Sequence, residues 1–391
     1  MSSTPDSSTH PLILTHPPPL NPAWESHIPH LPAPSTSTSP DVRKSVYSQN
    51  CINQNTSLLR TSLVHLTQNI LITNASIPSP SGHKIPTRLY TPTSATNSAS
   101  VPNSDSQPLI IYFHGGGLYV GDLDSEDLTC RQLSLSLSVP LLSISYRLLP
   151  AFTADDAVSD ALSAFTHLCT EFPSRKFVLV GSSSGGQLAA IVALTFLQKG
   201  DGIEREGKRI LGVILRCPVT CDATDNGTSI PEKWKSIHTS MKEEFYTEIL
   251  NKPAVTRENR VKGYKMPLEM LTEMPRLTEA SKPVGSDQED INTKWFIQLC
   301  TNDIYYSDGL CLALGLKERG HSVKIRVEYG WPHTFWLKGM VLGEAQKTEM
   351  ELVKGAKWVL DGLGGADTKS SDTERLGGME CGGQPLRRRF E

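Results

Sequence analysis

One serine stands in a setting that would make it a nucleophile. Residues 181–186 read Gly-Ser-Ser-Ser-Gly-Gly, a G-x-S-x-G pattern centred on Ser183. The pattern follows an apolar run, FVLV, and precedes an apolar helical stretch, QLAAIVALTFL, so it predicts a tight turn from a buried strand into a helix. Gly181 and Gly185 are expected to be small because strand and helix approach closely there. The N-terminus of that helix offers free N–H groups to a developing oxyanion.

A glycine triplet precedes this serine in the chain. His114, Gly115, Gly116 and Gly117 directly follow another apolar run, LIIYF. Three glycines let the backbone approach a ligand closely, because no Cβ atom stands in the way. In isolation the triplet would fit a plain glycine-rich turn equally well. Upstream of the Ser183 turn, it predicts a loop whose N–H groups bind an anion.

A serine hydroxyl needs a base to accept its proton, and the base needs a carboxylate to fix its tautomer. In chains with this serine turn, the order is serine, then an acidic residue, then histidine. The apolar run WFIQLC leads into Asp303, and VKIRVE leads into His333. We therefore predict Asp303 as the orienting acid and His333 as the base. Asp308 is the alternative acid, but its position favours a role as cap of the next helix.

The hydrophobic pattern predicts the elements that must position these residues. Short β-rich runs lie at 109–113, 141–145, 177–180, 210–215, 295–300 and 323–328. Helical periodicity lies between them, at about 125–138, 154–169, 184–199, 308–319 and 342–360. Strands that are apolar on both faces and separated by helices predict a mostly parallel central sheet flanked by helices. The G-x-S-x-G turn between such a strand and a helix is typical of the α/β-hydrolase fold. Two further strands, near 68–76 and 84–90, are predicted to form an antiparallel edge.

Three segments depart from this alternation. Residues 1–43 are rich in Ser, Thr and Pro, and residues 361–391 are rich in Gly, so both are predicted to be disordered. The interval 221–290 carries helical stretches without a strand signal and is too long for a loop. We predict a hydrolase domain over 44–360, with a helical cap formed by about 44–70 and 221–290.

The predicted cap carries an apolar stripe. Its members lie near one face of a helix: Trp234, Ile237, Met241, Phe245 and Ile249. Such a stripe serves packing more often than substrate contact. Its place over the carboxyl edge of the sheet, where ligands of α/β proteins bind, nevertheless predicts an apolar acyl or aromatic pocket that sets chain-length preference.

Composition limits the classes of partner. The formal net charge of −3 gives no electrostatic reason to expect nucleic acid or an anionic membrane as partner. The eight cysteines form no CxxC pair, and neither Cys217 nor Cys221 has a histidine close by in sequence, so we expect no metal site and no disulfide framework. No Lys or Arg precedes Arg43, and no apolar run reaches the ~18 residues that span a bilayer. A cytoplasmic protein without stable membrane association is predicted, with its oligomeric state left open.

Together these motifs resemble the hormone-sensitive-lipase-like carboxylesterases, a branch of the α/β hydrolases, including fungal members from secondary-metabolite gene clusters. The resemblance covers about residues 60–350 and includes YRLLP at 146–150, which is similar to the YRLAP segment of the family, and Asp160. It implies a capped hydrolase of short to medium acyl esters without metal or organic cofactor. It also implies an oxyanion hole built from the N–H groups of Gly116, Gly117 and Ser184.

The chain also departs from the family pattern. The family usually has Asp or Thr before the nucleophile and Ala after it, whereas this chain has Ser182 and Ser184. Ala151 replaces the usual acidic residue after YRLAP, and the spacing from Asp303 to Asp308 is one residue longer than usual. The interval 221–290 does not align with the family, so the departures concern the substrate pocket more than the chemistry.

The predicted function is therefore a serine hydrolase that cleaves carboxylic esters of small to medium acyl or natural-product substrates through an acyl-enzyme. An amidase, a lactone-opening enzyme or an acyl-transfer tailoring enzyme of a secondary-metabolite pathway would use the same triad, and the residues do not separate these. A ligand-binding receptor built on an inactive hydrolase is disfavoured, because Ser183, Asp303 and His333 are all present.

Overall fold

A computed structural model describes residues 10–32, 39–93, 107–198, 209–221, 229–240, 242–245, 261–274, 276, 293–361 and 379–382. The strands are β1 (Ile70–Pro78), β2 (Lys84–Pro92), β3 (Leu109–Phe113), β4 (Leu141–Ile144), β5 (Phe177–Ser182), β6 (Ile210–Arg216), β7 (Lys294–Asn302), β8 (Val323–Pro332) and β9 (Met379–Gly382). The α-helices are α1 (Pro22–His27), α2 (Pro40–Arg60), α3 (Asp127–Leu137), α4 (Ala154–Glu171), α5 (Ser184–Gln198), α6 (Glu232–Lys235), α7 (Pro267–Glu273), α8 (Tyr306–Glu318), α9 (Trp336–Gly339) and α10 (Gly343–Leu360).

The strands form one sheet in the order β1-β2-β4-β3-β5-β6-β7-β8-β9. β1 pairs with β2 and β2 with β4 in antiparallel fashion, and every other neighbouring pair is parallel. Every residue of β3, β5 and β6 is buried, as expected for central parallel strands covered on both faces. The predicted α/β-hydrolase fold with an antiparallel edge is confirmed.

Alternate residues of each strand enter one of two cores. Ile111 and Leu179 lie in the larger core, beneath α4, α5 and α8, whereas Ile110 and Val180 lie in the smaller core, beneath α3 and α10. Because successive side chains of a strand point to opposite faces, one apolar run supplies both layers. The described helices include none that is both long and apolar enough to cross a membrane.

The N-terminal segment differs from its predicted disorder where it is described. Residues 10–32 include α1, and their contacts bury Leu12 and Trp24. The composition of 1–43 indicated too little apolar surface to order the chain, but a single Trp side chain buries a large area when a matching groove exists. The rest of that prediction, on 1–9 and 33–38, lies outside the described residues.

The cap interval is only partly described, and one helical stretch in it is shorter than its apolar stripe indicates. α6 ends at Lys235, and a 3₁₀ turn at 243–245 follows. The reason is tertiary: the backbone N–H of Thr239 donates to Ser307 Oγ at 2.7 Å in place of a helical carbonyl. Of the stripe, Trp234, Ile237 and Phe245 are buried, and the other two members lie outside the described residues.

The described cap residues pack on the hydrolase core. Trp234, Ile237 and α7 belong to the same hydrophobic cluster as Leu312 and Leu316 of α8. Trp234 lies directly over Gly315, where an added Cβ would come 3.5 Å from its ring. A role of the cap in chain-length preference stays a prediction.

Within the predicted disordered tail, β9 pairs with β8, and residues 362–378 and 383–391 lie outside the described ranges.

Candidate active site

Ser183 occupies the turn between β5 and α5. Its φ of 54° lies in the left-handed region, and its backbone N–H donates to the carbonyl of Arg216 at 2.8 Å. An added Cβ on Gly181 would lie 2.1 Å from the carbonyl oxygen of Gly185, and one on Gly185 would lie 2.0 Å from that of Phe113. Both positions therefore require glycine, and the close contact of strand and helix fixes where the serine side chain lies.

A continuous hydrogen-bonded chain connects Ser183 to an acidic residue. Ser183 Oγ lies 2.8 Å from Nε2 of His333, and His333 Nδ1 lies 2.7 Å from Oδ2 of Asp303. The other carboxylate oxygen, Oδ1, accepts the backbone N–H of Tyr305 at 2.9 Å. All three side chains of the chain are at least nine-tenths buried. The structure thus brings together the three residues that the sequence singled out.

Two opposing effects act on His333. Its burial disfavours the charged imidazolium, whereas the negative charge of Asp303 and the hydrogen bond to it favour that form. Burial is the largest single effect, but Asp303 and the neighbouring Cys217 thiol together outweigh it, so the pKa of His333 is raised. An imidazole beside such a carboxylate is a stronger acceptor for a hydroxyl proton, which is the property that a general base requires.

The glycine triplet lies beside the serine turn. Gly116 and Gly117 have φ values of 120° and 62°, and an added Cβ on Gly116 would lie 2.0 Å from the carbonyl oxygen of Val120. Gly115 approaches the serine turn, because a Cβ there would lie 3.5 Å from the Cβ of Ser183. Its N–H donates to the buried carboxylate of Glu126 at 2.7 Å. The loop is held in a conformation that only glycine adopts without strain.

The YRLLP segment supports this loop from behind. Tyr146 stacks on the ring of His114, with ring centres 4.4 Å apart, and its hydroxyl donates to the His114 carbonyl at 2.7 Å. Arg147 forms an ion pair with the fully buried Asp160 at 2.8 Å. Tyr146, Arg147 and His114 therefore support the structure and are not members of the hydrogen-bonded series from Ser183 to Asp303. Burial lowers the pKa of His114 to about 4, so its imidazole is neutral.

Several residues around the site were missed by sequence reasoning. Glu126, which holds the glycine loop, also accepts a hydrogen bond from Tyr112. Arg216 is fully buried behind the serine turn, where it donates to Gln298 at 2.8 Å and to Glu349 at 2.6 Å. An arginine that ends an otherwise apolar run, ILGVILR, is the one signal that could have indicated this buried ion pair.

The N-terminal segment contacts the loop that carries His333. The backbone N–H of Asn21 donates to the carbonyl of Gly330 at 2.8 Å. Trp24 packs edge-on against Trp331 and Phe335, with ring centres 6.3 and 6.4 Å apart. These rings lie on both sides of His333 in sequence, so the N-terminal segment supports the base from outside the sheet.

Asp308 does not cap its helix as predicted. It lies in the first turn of α8, and its Oδ2 atom accepts the backbone N–H groups of Thr220 and Cys221 at 2.7 and 3.1 Å. The carboxylate therefore joins α8 to the segment after β6, a contact that no local pattern indicates. Its neighbour Asp303 is the residue that contacts His333.

Among the described residues, two groups of side chains have the donor types and the proximity to bind a metal ion. One is Cys217 with Asp303 and His333, and in it the latter two are already joined by a hydrogen bond. The other is Cys221 with His238 and Asp308, at the contact between cap and sheet. The second group lies apart from the hydrogen-bonded chain of Ser183.

Comparison with known proteins agrees with this fold. A family model described as the alpha/beta hydrolase fold matches residues 110–337. The chain is 35% identical over 136 residues to versiconal hemiacetal acetate esterase stcI of Emericella nidulans, covering 35% of this chain and 43% of that protein. It is 26% identical over 286 residues to ethyl acetate hydrolase of Pseudomonas putida, covering 71% and 79% respectively.

A longer protein of Aspergillus terreus, named FAD-linked oxidoreductase pytB, is 27% identical over 274 residues, which cover 70% of this chain and 31% of that protein. The chain therefore spans less than half the length of this relative and of stcI. The crystal structure of vibralactone cyclase superimposes with a TM-score of 0.70 at 22% identity, covering 88% of this chain and 96% of that one. It shares the fold.

The family model covers more than half of the chain, and its range begins in β3 and ends beyond His333. It therefore contains the glycine loop, the serine turn, and the two residues that follow β7 and β8, which are Asp303 and His333. The resemblance to hormone-sensitive-lipase-like carboxylesterases is confirmed, and the chain belongs to the α/β-hydrolase fold family.

Proposed function

We propose that the protein is a carboxylic-ester hydrolase, with Ser183 as the nucleophile, His333 as the base and Asp303 as the orienting acid. The observation that carries this proposal is the buried chain from Ser183 Oγ through both nitrogens of His333 to Asp303. A hydroxyl, an imidazole and a carboxylate in this order form the triad that activates serine. Two relatives that carry ester hydrolysis in their names support the same reaction.

Acylation follows from the positions of these atoms. Ser183 Oγ attacks the acyl carbonyl carbon while its proton passes to His333 Nε2, 2.8 Å away. Negative charge develops on the carbonyl oxygen, and the N–H groups of Gly116, Gly117 and Ser184 are proposed to stabilise it. The tetrahedral intermediate then collapses, the bond to the alcohol oxygen breaks, and His333 returns the proton to the leaving alcohol.

Deacylation repeats these steps with water. His333 accepts a proton from the water molecule as its oxygen attacks the acyl-enzyme carbonyl, and it then protonates Ser183 Oγ as the acid leaves. Asp303 orients the imidazole and does not itself take up the transferred proton. Its hydrogen bond to Nδ1 keeps the Nε2 lone pair directed at Ser183, and the backbone N–H of Tyr305 holds its second oxygen.

We propose small-molecule esters with short acyl groups as substrates. The names of two relatives refer to acetate esters, and the exposed fraction of Ser183 is only 7%. A nucleophile so enclosed favours a small acyl group. Amides, lactones and acyl acceptors other than water would pass through the same acyl-enzyme, so a substrate panel must include them.

The test combines a fluorophosphonate probe with aryl esters of increasing acyl length. Wild type should be labelled at Ser183 and should hydrolyse the acetyl and butyryl esters fastest. Ser183→Ala should lose labelling and about 10³- to 10⁶-fold in kcat, which leaves only binding and oxyanion stabilisation. The matched control is Ser182→Ala, because the Ser182 hydroxyl is buried and has no hydrogen-bond partner among the described residues. Labelling that persisted in Ser183→Ala would disprove the assignment.

A further inference from the structure

A second cluster of chemically active side chains lies where the cap meets the sheet. Cys221 Sγ is 3.2 Å from His238 Nε2 and 3.6 Å from Asp308 Oδ2. His238 Nε2 is 3.4 Å from the other carboxylate oxygen, Asp308 Oδ1. The three residues come from three segments: the chain after β6, the cap after α6, and the first turn of α8. Their juxtaposition is therefore a product of the tertiary fold.

The cluster is enclosed, and its atoms are oriented inward. The exposed fractions of Cys221, His238 and Asp308 are 3%, 5% and 0%. Ser240 Oγ lies 2.7 Å from His238 Nδ1, so with Nδ1 protonated the Nε2 lone pair faces the other two residues. Such a polar partner on the second imidazole nitrogen is the usual support for a metal-binding histidine.

Asp308 supplies the observation that indicates a ligand. Its Oδ2 atom is held by two backbone N–H groups, those of Thr220 and Cys221. Its Oδ1 atom is fully buried and accepts no hydrogen bond from any described residue. A buried carboxylate oxygen without a donor is costly. This one lies beside a thiol and an imidazole nitrogen, which are metal ligands themselves.

From this geometry we infer that Cys221, His238 and Asp308 form a binding site for a divalent transition-metal ion, with zinc as the ion that fits best. Tetrahedral zinc with bonds of about 2.0–2.3 Å to S, N and O separates its ligand atoms by about 3.3–3.6 Å. Here His238 Nε2 lies 3.4 Å from Asp308 Oδ1 and 3.2 Å from Cys221 Sγ, and the 3.6 Å distance from Sγ is to the other carboxylate oxygen, Oδ2. Thiolate and imidazole ligands favour zinc over magnesium or calcium. Water would complete the coordination.

The ion would hold the cap against α8. Cys221 Sγ now donates its proton to Asp308 Oδ2; binding of the ion would release that proton, and the divalent charge would neutralise the thiolate and the carboxylate. The ion would also join His238 of the cap to Asp308, five residues beyond Asp303 in the chain. The site takes no part in the proposed ester chemistry, and its test does not depend on that activity.

The test uses the metal-stripped full-length chain and Co²⁺ as a spectroscopic probe. We expect one equivalent of Co²⁺ to give a thiolate-to-cobalt charge-transfer band, Zn²⁺ to remove the band by displacement, and Zn²⁺ to raise the Tm. Cys221→Ser should abolish the band. Ser240→Ala should weaken binding about 10- to 100-fold, since it removes only the support of His238. Cys169→Ser, a buried cysteine of α4, is the matched control and should bind like wild type.

Three results would overturn the inference. The first is wild type without the band and without a Zn²⁺-dependent rise in Tm. That result would mean that the three side chains are joined by hydrogen bonds and bind no metal ion. The second is a band that persists in folded Cys221→Ser. The third is a band lost in His333→Ala but kept in Ser240→Ala at wild-type affinity, which would place the ion at Cys217. If Cys221→Ser fails to fold, wild type and Ser240→Ala still decide the question.

Discussion

At the residue scale, the charge of Asp303 controls the proton affinity of His333. Because Asp303 raises the pKa of His333, the acidic limb of the kcat/KM profile should lie at higher pH in wild type than in Asp303→Asn. The variant should also lose up to ~10⁴-fold in turnover, the magnitude found in a protease of unrelated fold, because Asn leaves the imidazole in the wrong tautomer. Both effects are read from kcat/KM measured across pH with one aryl ester.

The direction of the pH shift is the decisive part of that prediction. A merely destabilised variant would lose activity at all pH values without moving the limb. Removal of the negative charge favours neutral imidazole, so the limb must move to lower pH. An unchanged limb, or one moved to higher pH, would show that Asp303 does not act on the base through its charge.

At the element scale, the N-terminal segment packs against the loop that contains His333 and stabilises it. Trp24 is fully buried against Trp331 and Phe335. Trp24→Ala should lower the free energy of unfolding by about 3–5 kcal/mol through the cavity that it leaves. It should also lower kcat more than it changes KM, because the loop that positions His333 loses its outer contact.

The control for this variant is Trp358→Ala. Trp358 is a half-buried residue of α10, where Lys294 and Lys324 lie over its ring, away from the His333 loop. It should lose stability while keeping kcat. Both variants are compared by urea unfolding and by kcat at a temperature where each is folded. Wild-type kcat in folded Trp24→Ala would show that the segment packs on the loop without positioning the base.

At the scale of the whole molecule, buried neutral histidines should make the fold sensitive to acid. Burial lowers the pKa of His321 to about 4, whereas an unfolded histidine has a pKa of about 6.5. Below pH 6.5 the unfolded chain therefore binds protons that the folded protein does not. Each such residue reduces the free energy of unfolding by up to ~1.4 kcal/mol per pH unit down to its folded pKa.

His321→Gln isolates this effect. The loss of stability between pH 7 and pH 5 should be smaller in the variant than in wild type, as measured by urea unfolding at both pH values. His333 acts in the opposite direction, since its pKa is raised, but its contribution is common to both proteins and cancels. His65→Gln, at an exposed position, should keep the wild-type loss. An unchanged loss in His321→Gln would mean that other groups cause the acid sensitivity.

The sequence by itself determined the sheet and the residues at its carboxyl edge. The predicted helix at 184–199 is observed at 184–198, and the one at 154–169 is observed at 154–171. Strands that must be buried on both faces produce apolar runs that are easily read, and helices between them keep the strands parallel. Parallel strands end at one edge, so Ser183, Asp303 and His333 could be brought together from their order in the chain alone.

The tertiary structure alone decided the contacts made between distant segments. Trp24 is ordered because a groove beside Trp331 accepts it, and Asp308 binds the backbone after β6 in place of capping its own helix. Likewise, the cap helix is shortened because Ser307 accepts the N–H of Thr239. Local patterns record which face of an element is apolar. They carry no signal for a hydrogen bond or a ring contact whose partner lies far along the chain, because the free energy of that contact exists only once the fold has formed.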